Sequence, residues 1–282
     1  MGGPLVECAT LSNRFTIARG RLVQTLKRGS LEERVTRLQA LLDRADRSIH
    51  EEYEERLDMS WIYHDSALEG VVYTNEELQA AIDEHVISDT SLIPVYDEIR
   101  QHKAAIDLVR ELTDKKRVGI SLELIKRIYV ALVPEDGEGK GAPKYRRDMP
   151  LHRQYFHEIA QPDKISPKMR ALVDWLKSPD TKRSTHTVRL AAKAHYQLLR
   201  IYPFPKHSGK VARLLMNLIL LRQGYPPAII HATERQRYYD ALKTSSDAVS
   251  KIISEALASS VESTIRYFEQ AMGLPGSNVA AG

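Results

Sequence analysis

One cysteine, Cys8, stands in 282 residues, so no disulfide can form within the chain. That suits a reducing cytoplasm, and Cys8, near an irregular start, reads as a bland thiol. No run of about 18 apolar residues occurs, and no charged start leads into an apolar signal segment. The expected location is cytoplasmic, with no membrane partner; a specialised secretion route would leave no mark of this kind. Charge is nearly balanced, at +4 from 41 Lys and Arg against 37 Asp and Glu. So slight an excess gives little reason to expect nucleic acid, and no nucleic-acid motif accompanies it. Zinc-ligand spacings and a nucleophile elbow are missing too. Strand signals are almost absent, and no internal repeat or low-complexity tract stands out.

What remains is helical patterning in a chain that is 43% hydrophobic and 28% charged, enough for a sizeable core. Residues 1–29 carry several glycines and five cations, and read as a solvated arm or short helix. Ser30 with Glu33 forms a capping box. Leu31, Val35, Leu38, Leu42, Ala45 and Ile49 then form a seam spaced like heptads. It reads as a helix packed on its own domain, with a homodimer seam as the alternative. Helical pattern continues to Gly70. Thr74 with Glu77 caps the next helix, Ser91 starts a long amphipathic one, and Ser121 caps another. Residues 134–143 read as a loop, 162–177 as a turn and helix, and 178–185 as a polar, basic loop. Thr187 begins a helix, Gly224 stops another, and two more follow. The tail from 273 to 282 has no core pattern.

The informative stretch is Ile201 to Arg213, IYPFPKHSGKVAR. Two prolines and a glycine interrupt two helical patterns. The second pattern is apolar on nearly every face, the mark of a buried central helix. Lys206, His207, Lys210 and Arg213 thus fall on a loop that opens onto a helix start. Free N–H groups and the positive dipole end favour anions there. The run is not a Walker A loop, because Phe204 and Val211 stand where Gly and Ser or Thr are needed.

This stretch resembles the signature loop of the Fic (Fido-fold) family, H-P-F-x-[D/E]-G-N-G-R-x-x-R. Pro203, Phe204, Gly209 and Arg213 agree with it. Tyr202 takes the place of the His, Lys206 that of the acid, His207 and Ser208 those of Gly and Asn, and Lys210 that of the first Arg. The resemblance implies transfer of AMP from ATP to a protein hydroxyl. In that chemistry the His is the general base, the acid holds magnesium, and the glycine-rich backbone and arginines bind phosphates. Upstream, Glu69-Gly70 resembles the end of the family's inhibitory-helix motif, [S/T]-x-x-x-E-[G/N], in which the Glu pairs with the last Arg. Asp65 stands at the motif's Ser position, and Ser66 is one residue too close. Tyr145-Arg146 resembles the G-x-Y-R segment that leads into a β-hairpin flap docking the target peptide. Gly141 is one residue out of register.

The implied fold is all-α, a Fic/Fido-type helical domain with a short β-hairpin flap and an N-terminal helical extension. The expected divisions are 1–56 as the extension, 57–245 as the core, 246–272 as a C-terminal helix and 273–282 as a tail. The substitutions change the implied chemistry. A tyrosine, of ordinary pKa about 10, would need about 4 kcal/mol of help to act as a base at pH 7. A lysine repels the cation that an acid would hold. The expectation is a degenerate Fic-like protein, a regulator or scaffold, binding a phosphate or other anion without magnesium. Its anion site would comprise Lys206, His207, Ser208, Gly209, Lys210 and Arg213, with Glu69 inhibitory and Tyr145 and Arg146 at the flap. No cofactor is certain, a nucleotide being one candidate. An anionic small molecule or a protein target is the expected partner. The alternative is a family enzyme with altered chemistry on a phosphorylated or nucleotide substrate. Its catalytic candidates are Tyr202 and, in a different substrate pose, His207.

Overall fold

A computed structural model describes residues 30–83, 89–115, 117–137, 143–150 and 157–275. Among them every regular element is helical: α1 (Leu31–Leu42), α2 (Arg47–Glu69), α3 (Asn75–Ile82), α4 (Ile93–Asp114), α5 (Leu122–Leu132), α6 (Pro162–Lys177), α7 (Pro179–Ser184), α8 (Thr187–Ile201), α9 (Ser208–Leu221), α10 (Arg235–Thr244) and α11 (Ser246–Ala271). Among the same residues, 3₁₀ turns lie at 90–92, 134–137 and 232–234. The fold is therefore all-α. The hairpin expected beyond Tyr145 falls on 151–156, outside the described residues.

The centre is α9. Every residue from Ser208 to Leu220 is buried. It packs on α8, α4, α5 and α2, while α11 covers α8, α1 and α10. Each buried Leu or Met of α9 contributes about 1.5–3 kcal/mol by leaving water. The residues that open this helix are thus fixed by a rigid scaffold.

Local signals explain most boundaries. Ser30 and Thr74 each accept from the N–H three residues on, and Glu33 and Glu77 return the bond, completing both capping boxes. Gly70 ends α2 in the left-handed region, φ 97°. Three expectations need correction. The seam from Leu31 to Ile49 is not one helix, because α1 stops at Leu42 and α2 starts afresh with Asp46 as its N-cap. The long amphipathic helix starts at Ile93 rather than near Ser91; Asp89 caps a short 3₁₀ turn before it, and Pro94 occupies its first turn. Residues 179–184 are a short helix begun by Pro179, not a loop. Leu38 and Leu41 of α1 are buried in the chain's own core, against α11. Arg37 pairs with Glu269 across that contact, and Tyr53 of α2 meets Thr264 at 2.7 Å. The α2 helix runs unbroken through the 56/57 position where a boundary was expected.

Candidate anion site

Between α8 and α9 the chain must reverse in six residues. It does so through the two non-glycine residues with positive φ among those described, Tyr202 (49°) and His207 (53°). Such conformations cost about 1–3 kcal/mol each and persist only where the surroundings enforce them. Three contacts do so. Phe204 is fully buried, stacked on Tyr129 with centroids 4.0 Å apart. Ser208 Oγ accepts from the Phe204 N–H at 2.8 Å and donates to the Phe204 carbonyl at 3.0 Å. Arg146, buried, donates from Nε to the Tyr202 carbonyl at 2.7 Å and from Nη2 to the Ala160 carbonyl. Its own N–H bonds the Pro203 carbonyl at 2.9 Å. Arg146 is thus a staple across the loop and the end of α8, where helix carbonyls lack partners.

These contacts place the sequence candidates differently. Ser208 is turned inward and spends its hydroxyl on Phe204, not on an open cradle. Lys206 is exposed and leans toward Glu135, 4.0 Å away. Tyr202 is 2% exposed and packs in the core. Tyr145 is half-buried, beside Phe204 and under the Lys126 ammonium. His207, the N-cap residue, remains together with Gly209, Lys210 and Arg213 of the first turns of α9.

The cations there are already matched by carboxylates. Arg213 Nε donates to Asp65 Oδ1, and Nη2 donates to Glu69 Oε1 at 2.9 Å and to the Asp65 carbonyl at 3.2 Å. The expected Glu69–Arg213 contact is therefore present, across 144 residues of sequence. Glu69 also lies over Gly209: a Cβ there would stand 2.0 Å from Glu69 Oε1. The glycine is what admits the carboxylate to the helix start. Leu68, one residue before Glu69, is held by α10, since Arg235 Nε and Tyr239 Oη both donate to its carbonyl at 3.0 Å.

Three residues that sequence reasoning did not assign complete the cluster. Asp65 is the deep partner of Arg213; burial opposes its charge, but Arg213 and His102 hold its carboxyl below the usual range. His102, fully buried on α4, lies 3.2 Å from Asp65 Oδ2, and burial lowers its pKa. Glu98, one turn earlier on the same face, accepts from Lys210 Nζ at 2.8 Å. A Glu and a His four residues apart beside Ile99 and Ile106 are polar groups at the edge of an apolar stripe, a signal that could have marked them.

Three histidines shape the acid side of the domain's pH response, His195 fully buried and His64 and His207 partly buried. His207 is lowered from the ordinary 6.5 to about 4, first by burial and then by Lys210. Burial does the same to His64, also about 4, and to His195, about 3. Between those values and 6.5 the unfolded chain binds more protons than the folded one, so stability rises with pH there. Asp65 adds the same sign further into acid. Thermal unfolding should therefore show Tm falling steadily from pH 6.5 to pH 4; a flat profile over that window would contradict the burial of these rings.

Comparison with known proteins gives this geometry its family. The model of the Fic/DOC family matches residues 119–220, spanning α5, the loop and α9. Residues 119–220 carry a Fic/DOC family domain. The chain is 30% identical over 212 residues to the protein adenylyltransferase Fic of Drosophila willistoni, covering 73% of this chain and 41% of that protein's length. Two solved structures share the fold. A Fic-domain-containing signalling protein of Bacteroides thetaiotaomicron superposes with TM-score 0.73 at 19% identity, over 87% of this chain and 99% of that one. Fic-1 of C. elegans, residues 134–508, superposes with TM-score 0.70 at 21% identity, over 95% of this chain and 79% of that one.

The magnesium that the Fic resemblance implies does not fit this donor set. An exposed ammonium, Lys206, stands at the acid's position, and magnesium needs oxygen ligands in near-octahedral array. Among the described residues no helix is long and apolar enough to cross a membrane.

Proposed function

We propose that the protein is a Fic-type regulator that binds a phosphate-bearing or other anionic ligand without magnesium and does not transfer AMP. The observation that carries this reading is Glu69 seated on Arg213 above Gly209, in a loop with Tyr202 and Lys206 at the base and metal positions. A carboxylate on those donors occupies the place of a phosphate, because the Arg fork accepts either. Glu69 is then an inhibitory plug. The anion site so read contains His207, Gly209, Lys210 and Arg213, and the ligand or a protein target is sensed by displacing the plug.

Two observations support a second reading, an enzyme with altered chemistry on a phosphorylated or nucleotide substrate. His207 is neutral at pH 7 and lies in the loop beside the cations, and relatives bear the name protein adenylyltransferase. Against it, a pKa of about 4 makes His207 a weak base.

Incubation of the parent and of Glu69→Gly with labelled ATP and candidate proteins separates the two. The expected result is no labelled protein from either. Labelling lost in Tyr202→Phe or His207→Ala would overturn the first reading and name the base.

A further inference from the structure

Lys210 and Arg213 lie three residues apart on the same turn of α9, and both are almost sealed from water, with side chains 2% and 3% exposed. A sealed ammonium needs a partner. The partner the structure gives Lys210 comes from a different helix than those of Arg213. Glu98 of α4 reaches it at 2.8 Å and is itself 33% exposed. Glu98 is therefore the outward member of its pair, as Glu69, at 12%, is of the other. Asp65, at 4%, is the inward one. His207 lies in the field of both outward carboxylates. Burial opposes the charge on Glu98, and Lys210 outweighs it, holding the carboxyl below its usual range.

We propose that Glu98 is a second carboxylate gate on the same anion site. Glu69 closes it from α2 through Arg213, and Glu98 closes it from α4 through Lys210. An entering anion must replace both, so its recognition requires charge enough for two cations, as a diphosphate has. Asp65 remains on Arg213 throughout and keeps the helix start in place. Asp65 of α2 and His102 of α4 approach to 3.2 Å beneath the site, so the two gates stand over one buried contact. This inference rests on the reading of the loop as an anion site. It adds a residue outside the loop and outside α2, with a role separable from theirs.

Calorimetric titration of pyrophosphate in EDTA against the parent, Glu98→Gln, Glu69→Gly and the double variant tests it. Glu98→Gln alone is expected to raise affinity about fivefold or more. The double variant is expected to exceed Glu69→Gly by a similar factor. Adding Lys210→Gln should cancel the gain from Glu98→Gln, because that effect runs through one ammonium. Glu98→Gln is also expected to lower Tm, by leaving Lys210 sealed without a countercharge, and pyrophosphate should restore it. If Glu69→Gly binds pyrophosphate and the double variant binds no better, Glu98 is only a structural partner of Lys210 and the gate falls while the anion site stands. If none of the four binds, both fall.

Discussion

Glu69→Gly should bind pyrophosphate or ATP at least tenfold more tightly than the parent, at a small cost in stability. The gain follows from which donors the carboxylate occupies. Arg213 Nη2 gives Glu69 a hydrogen bond of 2.9 Å in a site nearly closed to water. A hydrogen bond to a charged group contributes about 1.5–3 kcal/mol, and a ligand that no longer breaks it gains about ten- to hundredfold in affinity. The substitution also clears the space above Gly209, which Oε1 now fills. The cost is small because Arg213 keeps Asp65 on Nε. What is lost is one outer pair, plus about 1 kcal/mol for a glycine near a helix end. Calorimetry gives the affinity and thermal melting the cost. A parent and variant of equal affinity for every phosphate tested would remove Glu69 from any gating role.

Arg213→Ala should be the most destabilising single change at the site. It strips Asp65, buried with a side chain 4% exposed, of its principal countercharge and frees Glu69 from its anchor. Removing one partner of a buried pair costs about 3–5 kcal/mol. For a domain of this size that corresponds to a fall in Tm of about 6–20 °C. Arg213→Lys should fall between, since an ammonium keeps the charge but cannot span Asp65 and Glu69 with a planar fork. Asp65→Asn in the Arg213→Ala background should recover part of the loss, because the uncompensated charge is then gone. A Tm within 2 °C of the parent, about the effect of under 1 kcal/mol, would mean the pair is not sealed as described. The same substitution should erase the affinity gained in Glu69→Gly.

The frame of the site was legible in the sequence because its signals are local. Capping boxes at Ser30 and Thr74, the left-handed glycine at 70 and the proline-broken loop each depend on neighbours a few residues away. The Glu69–Arg213 contact spans 144 residues and was legible only because two short motifs resemble parts of one family pattern. Asp65 shows the limit of that pattern. It was noticed only as the residue standing in a serine's place, yet it is the inward partner of Arg213. Glu98 and His102 carried no motif, and their one mark is a place at the edge of the apolar stripe of α4. Lys206 and Ser208 show a different limit. Side-chain direction beside two left-handed residues is set by packing that no local pattern reveals: Ser208 Oγ bonds the Phe204 backbone, and the Lys206 ammonium stands exposed, 4.0 Å from Glu135. Arg146 reads as leading into a flap that lies outside the described residues, and its buried guanidinium also staples the loop.

The reading of the site turns on an anion held by side-chain cations and helix N–H groups with no metal between them. The most direct measurement is the affinity of Glu69→Gly for ATP, titrated in EDTA and again with excess magnesium. The expected result is one affinity, equal within about twofold in the two buffers, since Lys206 stands where an acid would have to hold the ion. A rise of about tenfold or more with magnesium, worth about 1.4 kcal/mol, would contradict a metal-free site.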